Sequence, residues 1–242
     1  MPRRPRVIIP SVPHHITQRG NNRQQVFYSD CDRRLYLDLL SRHAPQYGAR
    51  ILGYCLMTNH VHVVAVPEHG HSLARTFGRA HAEYAAALNH AERRSGHLWQ
   101  NRFFSCPLDA AHLESAMLYV ELNPVRAGLI AMPWDWPWSS ARAHCSELAR
   151  DMLLYCGGGR PGDWDYAGWR NSLLSGLSDG EMEAVRRATQ TGEPLGSREF
   201  VMRLERQAGR RLRVWERGRP RKRPTAPNQA GFQPCLFADD AF

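Results

Sequence analysis

The sequence predicts an α+β fold: a ferredoxin-like split β-α-β unit with a four-stranded antiparallel sheet and helices on one face, plus a C-terminal helical extension and a basic tail. Three observations predict it. Segments with strand character and segments with helical periodicity follow one another as β-α-β-β-α-β-α between residues 13 and 122. Beyond residue 130 that order gives way to tryptophan, proline and short helical stretches, and beyond residue 201 to a dense run of arginine.

Each element has its own signal. Residues 13–19 alternate weakly and break at Arg19-Gly20-Asn21-Asn22-Arg23, which reads as a strand followed by a loop. Residues 30–47 set Leu35, Leu39 and Leu40 on one face, with Ser29 or Asp30 as cap and Gly48 after the end. Residues 50–57 and 60–66 are β-rich and meet at Thr58-Asn59, a hairpin that Pro67 terminates. Ser72 is the expected cap of a helix over 72–93, with Leu73, Phe77, Ala80, Tyr84 and Leu88 as its stripe. A fourth strand is expected over 97–106, then a helix from Asp109 to about Leu122, where Pro124 forbids continuation. Trp134, Trp136 and Trp138 read as packing of later helices onto this unit, with a short helix from Ser139-Ser140 and longer ones over 179–190 and 197–208.

Composition narrows the class. Hydrophobic residues make up 43% of the 242 and aromatics 10%, enough for a real core. No apolar run reaches the roughly eighteen residues of a membrane span, the N-terminus does not read as a signal peptide, and six cysteines without CxxC spacing fit a reduced, cytoplasmic protein. The net charge of +9 is unevenly held: +3 in residues 1–6, +8 in 202–223 and −2 in 224–242, leaving a neutral body. Lys222 is the only lysine, so the cationic strip is nearly all arginine, whose planar fork suits phosphate contacts.

Two local patterns bear on chemistry. In Asn59-His60-Val61-His62-Val63-Val64, strand geometry turns His60 and His62 to one face and Val61 and Val63 to the other. Two imidazoles one pleat apart can share a metal ion and leave a position open for a substrate oxygen. Chance supplies roughly 0.6 such HxH pairs in a chain this rich in histidine, so the pair alone is a weak motif. In Tyr119-Val120-Glu121-Leu122-Asn123-Pro124, Tyr119 and Asn123 lie four apart on one helical face. Each also has an ordinary reading, as a half-buried aromatic and a helix stop.

Taken together and in order, H-x-T-x-R-G-N (His15 to Asn21), M-T-N-H-V-H-V-V (Met57 to Val64), L-W-Q-N-R-F (Leu98 to Phe103), Y-V-E-L-N-P-V-R-A-G-L (Tyr119 to Leu129) and W-P-W-S-S-A-R-A-H (Trp136 to His144) resemble the IS200-like single-tyrosine transposases, and most closely their REP-associated branch. The resemblance continues to 223 through P-L-G-S-x-x-F and G-R-P-R-K. It implies that His60-Val61-His62 is the HUH metal motif, Tyr119 the catalytic tyrosine and Asn123 a third metal ligand, although a residue before proline is disfavoured in the αR region. It implies Mg²⁺ or Mn²⁺ as cofactor, the two imidazoles suiting Mn²⁺. The reaction implied is cleavage and rejoining of single-stranded, hairpin-forming repetitive DNA through a 5′-phosphotyrosine link. A free phenol titrates near pH 10, so the attack needs deprotonation or metal assistance.

The same resemblance divides the chain into a transposase domain over 1–130, a helical extension packing on it over 131–208, and an AT-hook-like tail over 209–242. Expected DNA contacts are Arg19, Asn21 and Arg102 near the domain, and Arg217, Arg219, Arg221 and Lys222 in the tail. The tail has two readings: an R-G-R-P element lying in an A·T minor groove, or a solvated strip binding phosphates without preference. The protein is expected as a monomer or homodimer in the cytoplasm, nucleoid-associated, with no membrane and no nucleotide cofactor. The alternative is a non-catalytic DNA binder, a repressor or architectural factor, since this topology also serves nucleic-acid binding without chemistry.

Overall fold

The computed structural model describes residues 6–156 and 164–212. Four strands, β1 (His14–Arg19), β2 (Ala49–Leu56), β3 (His60–Pro67) and β4 (Phe104–Pro107), form one antiparallel sheet in the order β2-β3-β1-β4. Helix α1 (Asp30–Gln46) joins β1 to β2, and α2 (Ser72–Ala91) joins β3 to β4. This is the expected split β-α-β arrangement, with β1 and β3 at the centre.

Local chemistry fixes the boundaries. Ser29 caps α1 by accepting from the Asp32 N–H while the Asp32 carboxylate accepts from the Ser29 N–H, a complete capping box. Gly48 then turns the chain at a φ of 66°. Ser72, expected to cap α2, instead stands in its first turn, and its Oγ accepts from the His69 N–H at 3.0 Å. The apolar stripes of the two helices bury Tyr36, Leu39 and Leu40 from α1 and Leu73, Phe77, Ala80 and Tyr84 from α2 against Val61, Val63 and Ala65 of β3. Leu35, one position off that stripe, is 37% exposed.

The expectation that all helices share one face needs correction. The crossover helices α1 and α2 do share a face, but α3 (Ala110–Glu121) packs on the opposite side of β2 and β3. There it joins α7 (Tyr166–Ser175) and α8 (Asp179–Thr191) around Cys55, Val64 and Cys106. The reason is the apolar content of that face: Val64 and Cys55 are fully buried, so a single layer of helices would leave them in water. Short helices α4 (Asn123–Arg126), α5 (Ala141–His144) and α6 (Met152–Cys156) link these parts.

Two segments depart from their expected form. Of the expected 97–106 strand, residues 104–106 pair with β1, in a strand that runs on to Pro107, and Trp99 makes an isolated bridge to Gly20. Leu98, Trp99 and Phe103 are buried, but as anchors of an irregular loop, with the Trp99 indole donating to the His81 carbonyl at 3.0 Å. Helix α9 (Arg198–Ala208) does not reach the sheet core; Phe200, Val201, Leu204 and Leu212 clasp Val7, Ile9 and Val12 of the N-terminal segment. The tryptophan region packs as expected: the Trp136 indole donates to the Leu56 carbonyl at 3.1 Å, and the Trp138 carbonyl accepts from the Leu56 N–H at 2.8 Å. Among the described residues, no helix is long and apolar enough to cross a membrane.

Candidate active site

The two histidines of β3 lie on the α3 side of the sheet, opposite Val61 and Val63, as strand alternation requires. Their rings are 5.0 Å apart between centroids. Each has one ring nitrogen already engaged. His60 Nδ1 lies 2.6 Å from Asn59 Oδ1, and His62 Nδ1 lies 2.9 Å from His15 Nε2. Both Nε2 atoms are left for another partner. Burial, followed by the charges of Arg19 and Arg126, pushes His60 down to about 4. Burial and the neighbouring histidines hold His62 well below the usual range. At neutral pH both are neutral imidazoles with lone pairs, the form a metal ion binds.

Helix α3 brings Tyr119 to the same place. Its ring is 5.8 Å from that of His62 and 6.1 Å from that of His15, edge to face in both cases, and it is only 9% exposed. Arg126 on α4 lays its guanidinium 4.0 Å from the Tyr119 ring centroid and donates to the Tyr119 carbonyl at 2.9 Å. Pro124 breaks the helix at Leu122 but does not end it, because proline is tolerated in the first turn of the continuing α4. The break deprives the Val120 carbonyl of the N–H that residue 124 would have supplied. The Asn123 amide compensates, donating to the Tyr119 carbonyl at 3.1 Å and reaching the Val120 carbonyl at 3.4 Å. Asn123 is therefore helical despite its proline neighbour, and Oδ1 is the amide atom left to accept a cation.

Glu121, two residues beyond the tyrosine, is fully buried on the other side of α3. Its carboxylate accepts from Ser140 Oγ and His144 Nδ1, both at 2.5 Å, and from the Trp169 indole at 2.8 Å. One side chain thus ties the tyrosine helix to α5 and α7. Opposite it, Gly53 of β2 allows the close approach of α3: a Cβ there would stand 2.8 Å from Met117 Cε.

His60, His62, Tyr119 and Asn123 line one cavity of about 780 Å³ together with Arg19, Arg126 and Arg186, and no carboxylate is among its lining residues. A second cavity of about 800 Å³ adjoins it, since Gln18 and Gln100 line both; it holds Asn21, Arg6 and Arg102, again without a carboxylate. Of the sequence-predicted residues, the fold brings His60, His62, Tyr119, Asn123 and Arg19 into the first cavity, and Asn21 and Arg102 into the second. Arg217, Arg219, Arg221 and Lys222 lie outside the described residues. Sequence reasoning left His15 without a role and passed over Arg126 and Thr189. A signal for His15 was present: His15, Thr17 and Arg19 alternate along β1, and Thr17 pairs with His62 across the sheet.

The donor set suits a divalent ion with open positions. Among the described residues no three His, Cys, Asp or Glu side chains are placed to hold a metal ion. The neutral donors that His60, His62 and Asn123 offer are two imidazole nitrogens and one amide oxygen.

A small antiparallel sheet thus sets paired histidines against a helix-borne tyrosine inside an arginine-lined cavity. Residues 9–123 match the family model described as "Transposase IS200 like". A curated Haemophilus influenzae protein that carries the name REP-associated tyrosine transposase is 25% identical over 105 residues, 39% of this chain and 60% of that protein. The chain thus spans less than two thirds of that relative. Among solved structures, a REP-associated tyrosine transposase bound to a REP hairpin shares the fold, with a TM-score of 0.52, 17% identity, and coverage of 74% of this chain and 98% of that one. A Deinococcus radiodurans protein described as a transposase is 18% identical with a TM-score of 0.35, over 52% of this chain and 92% of that one.

Proposed function

We propose that this protein is a metal-dependent single-strand DNA endonuclease and strand transferase, acting on hairpin-forming repetitive DNA with Tyr119 as nucleophile. One observation carries the reading: His60, His62, Tyr119 and Asn123 converge in a cavity that three arginines and no carboxylate line. A cavity of that charge suits a polyanion. Its arginine-bearing neighbour gives a single strand room to continue, and Phe104, 47% exposed at the rim, offers a base a surface to stack on. The likeness to a transposase bound to a REP hairpin supports a hairpin substrate.

In this reading the Tyr119 oxygen attacks a phosphorus, the bond to the 3′ oxygen breaks, the phenolic proton is given up and the 3′ oxygen gains one. The products are a 5′-phosphotyrosine and a free 3′-OH, and because the ester bond is exchanged rather than hydrolysed, rejoining needs no nucleotide cofactor. Arg126 holds the tyrosine ring and adds positive charge beside the phosphate. His60, His62 and Asn123 would hold Mg²⁺ or Mn²⁺, which supplies charge to the phosphate oxygens as they become more negative. The arginine strip beyond residue 212 would grip DNA outside the cavity, and Leu212, its last described neighbour, is fixed against the segment that leads to Arg6.

The test is incubation of the full chain with a labelled hairpin carrying single-stranded flanks, with Mn²⁺, followed by denaturing gels. A covalent protein–DNA band is expected from the natural protein and none from Tyr119→Phe, with binding by both unchanged. Binding without any adduct from the natural protein would leave the non-catalytic reading in its place.

A further inference from the structure

The hydroxyl of Thr189, on α8, lies 3.1 Å from His15 Nδ1 and 2.7 Å from the Val185 carbonyl. A carbonyl only accepts, so the single hydroxyl proton goes to Val185, in the i to i−4 bond common for threonine in helices. Thr189 must then accept from His15, which places the His15 proton on Nδ1 and leaves Nε2 bare. That bare nitrogen is 2.9 Å from His62 Nδ1 and must accept in turn, so His62 carries its proton on Nδ1 and presents Nε2 as a lone pair. Each link fixes the next, and His15, 1% exposed, has no solvent to offer it another arrangement. His60 reaches the same tautomer by a shorter route, donating Nδ1–H to Asn59 Oδ1 at 2.6 Å.

We infer that Thr189 is a positioning residue: through His15 it sets the tautomer of His62 and so makes that histidine a competent metal ligand. The inference rests on reading His60 and His62 as ligands, and it assigns the C-terminal extension a part in the site, because α8 lies beyond the 9–123 span of the family match. Were the proton order reversed, with Thr189 donating to His15, His62 would carry its proton on Nε2 and could not bind a cation there.

The experiment uses the full chain, labelled with ¹⁵N at histidine and free of metal, and reads ring tautomers from long-range proton–nitrogen spectra. Protons on Nδ1 of both His15 and His62 are expected; a proton on Nε2 of His62 overturns the inference. Free Mn²⁺ is then followed by electron paramagnetic resonance in titrations of the natural chain, Thr189→Val and Thr189→Ser. Loss of an outer partner of a liganding histidine costs about 10–100-fold in metal affinity. Thr189→Val, which keeps the shape but cannot accept from His15, should fall by about that factor and blur the His15 tautomer, while Thr189→Ser should restore both. Unchanged Mn²⁺ affinity in Thr189→Val also overturns it. Failure of the natural chain to bind Mn²⁺ would instead defeat the metal reading, while the tautomer spectra still decide the proton order.

Discussion

Val61, Val63 and Ala65 of β3 point into the α1–α2 layer, while His60, His62 and Val64, offset by one residue each, point at α3 and α8. The first side is filled by aliphatic and aromatic packing and would tolerate exchanges of similar volume. The second holds an interlocked set of polar groups: Thr189, His15 and His62 in one chain of contacts, and Glu121 with Ser140, His144 and Trp169 in another. A polar layer of this kind is satisfied only when every member is in place. The sheet therefore separates two duties, cohesion on one side and placement of reactive groups on the other.

Removing the anchor of the polar layer should have the largest effect. Glu121→Ala leaves His144 and the Trp169 indole without their acceptor, and each buried donor left unpaired costs about 1–3 kcal/mol. Urea denaturation measures that loss, and adduct formation per folded molecule should fall with it because α3 carries Tyr119. On the opposite side, Leu40→Ala should cost about 2–5 kcal/mol through its cavity, yet leave adduct formation per folded molecule unchanged. Equal loss of adduct in both variants would erase the proposed division of duties.

A smaller effect is expected at Gly20, which ends β1. A Cβ there would stand 2.2 Å from the Gln24 carbonyl oxygen, so Gly20→Ala must move backbone; about 1–3 kcal/mol is typical of such crowding. The local shift should weaken DNA binding through Arg19 and Asn21, as read by a salt-dependent binding titration. Acid is the mildest probe. His14, on the Ile16 side of β1, and His81 of α2 are held by burial at about 4 and about 3. Unfolded, both titrate near 6.5. Between pH 6.5 and about 4 the unfolded chain takes up protons that the folded chain does not, so stability should fall as pH falls through that window. His81→Phe should flatten the fall, followed by the urea midpoint at each pH.

The sheet, its two crossover helices and the helix of Tyr119 were legible because periodicity, capping residues and turn residues agree along residues 13–122. The 97–103 loop was not, since Leu98, Trp99 and Phe103 are buried at strand-like spacing while their backbone runs irregularly, and spacing alone does not separate the two. The side of the sheet that α3 would take was hidden for a related reason: its stripe of Met117 and Val120 fits either face until Cys55 and Val64 are seen to need cover. Within the site, His60, His62 and Tyr119 stand in short recognisable runs. Thr189 is 174 positions from His15, and no local pattern relates residues joined only by the packing of α8 on β1 and β4.

The Glu121 clamp also bears on kinetics. It binds α3 to α5 and α7 of the same chain, while Tyr119 sits beside His62 of that chain. Tyr119 and the histidines thus already stand side by side within the chain, a proximity of the kind that raises effective molarity. Under the proposed chemistry, the first cleavage should be unimolecular once DNA is bound, its rate constant independent of how much protein surrounds the complex.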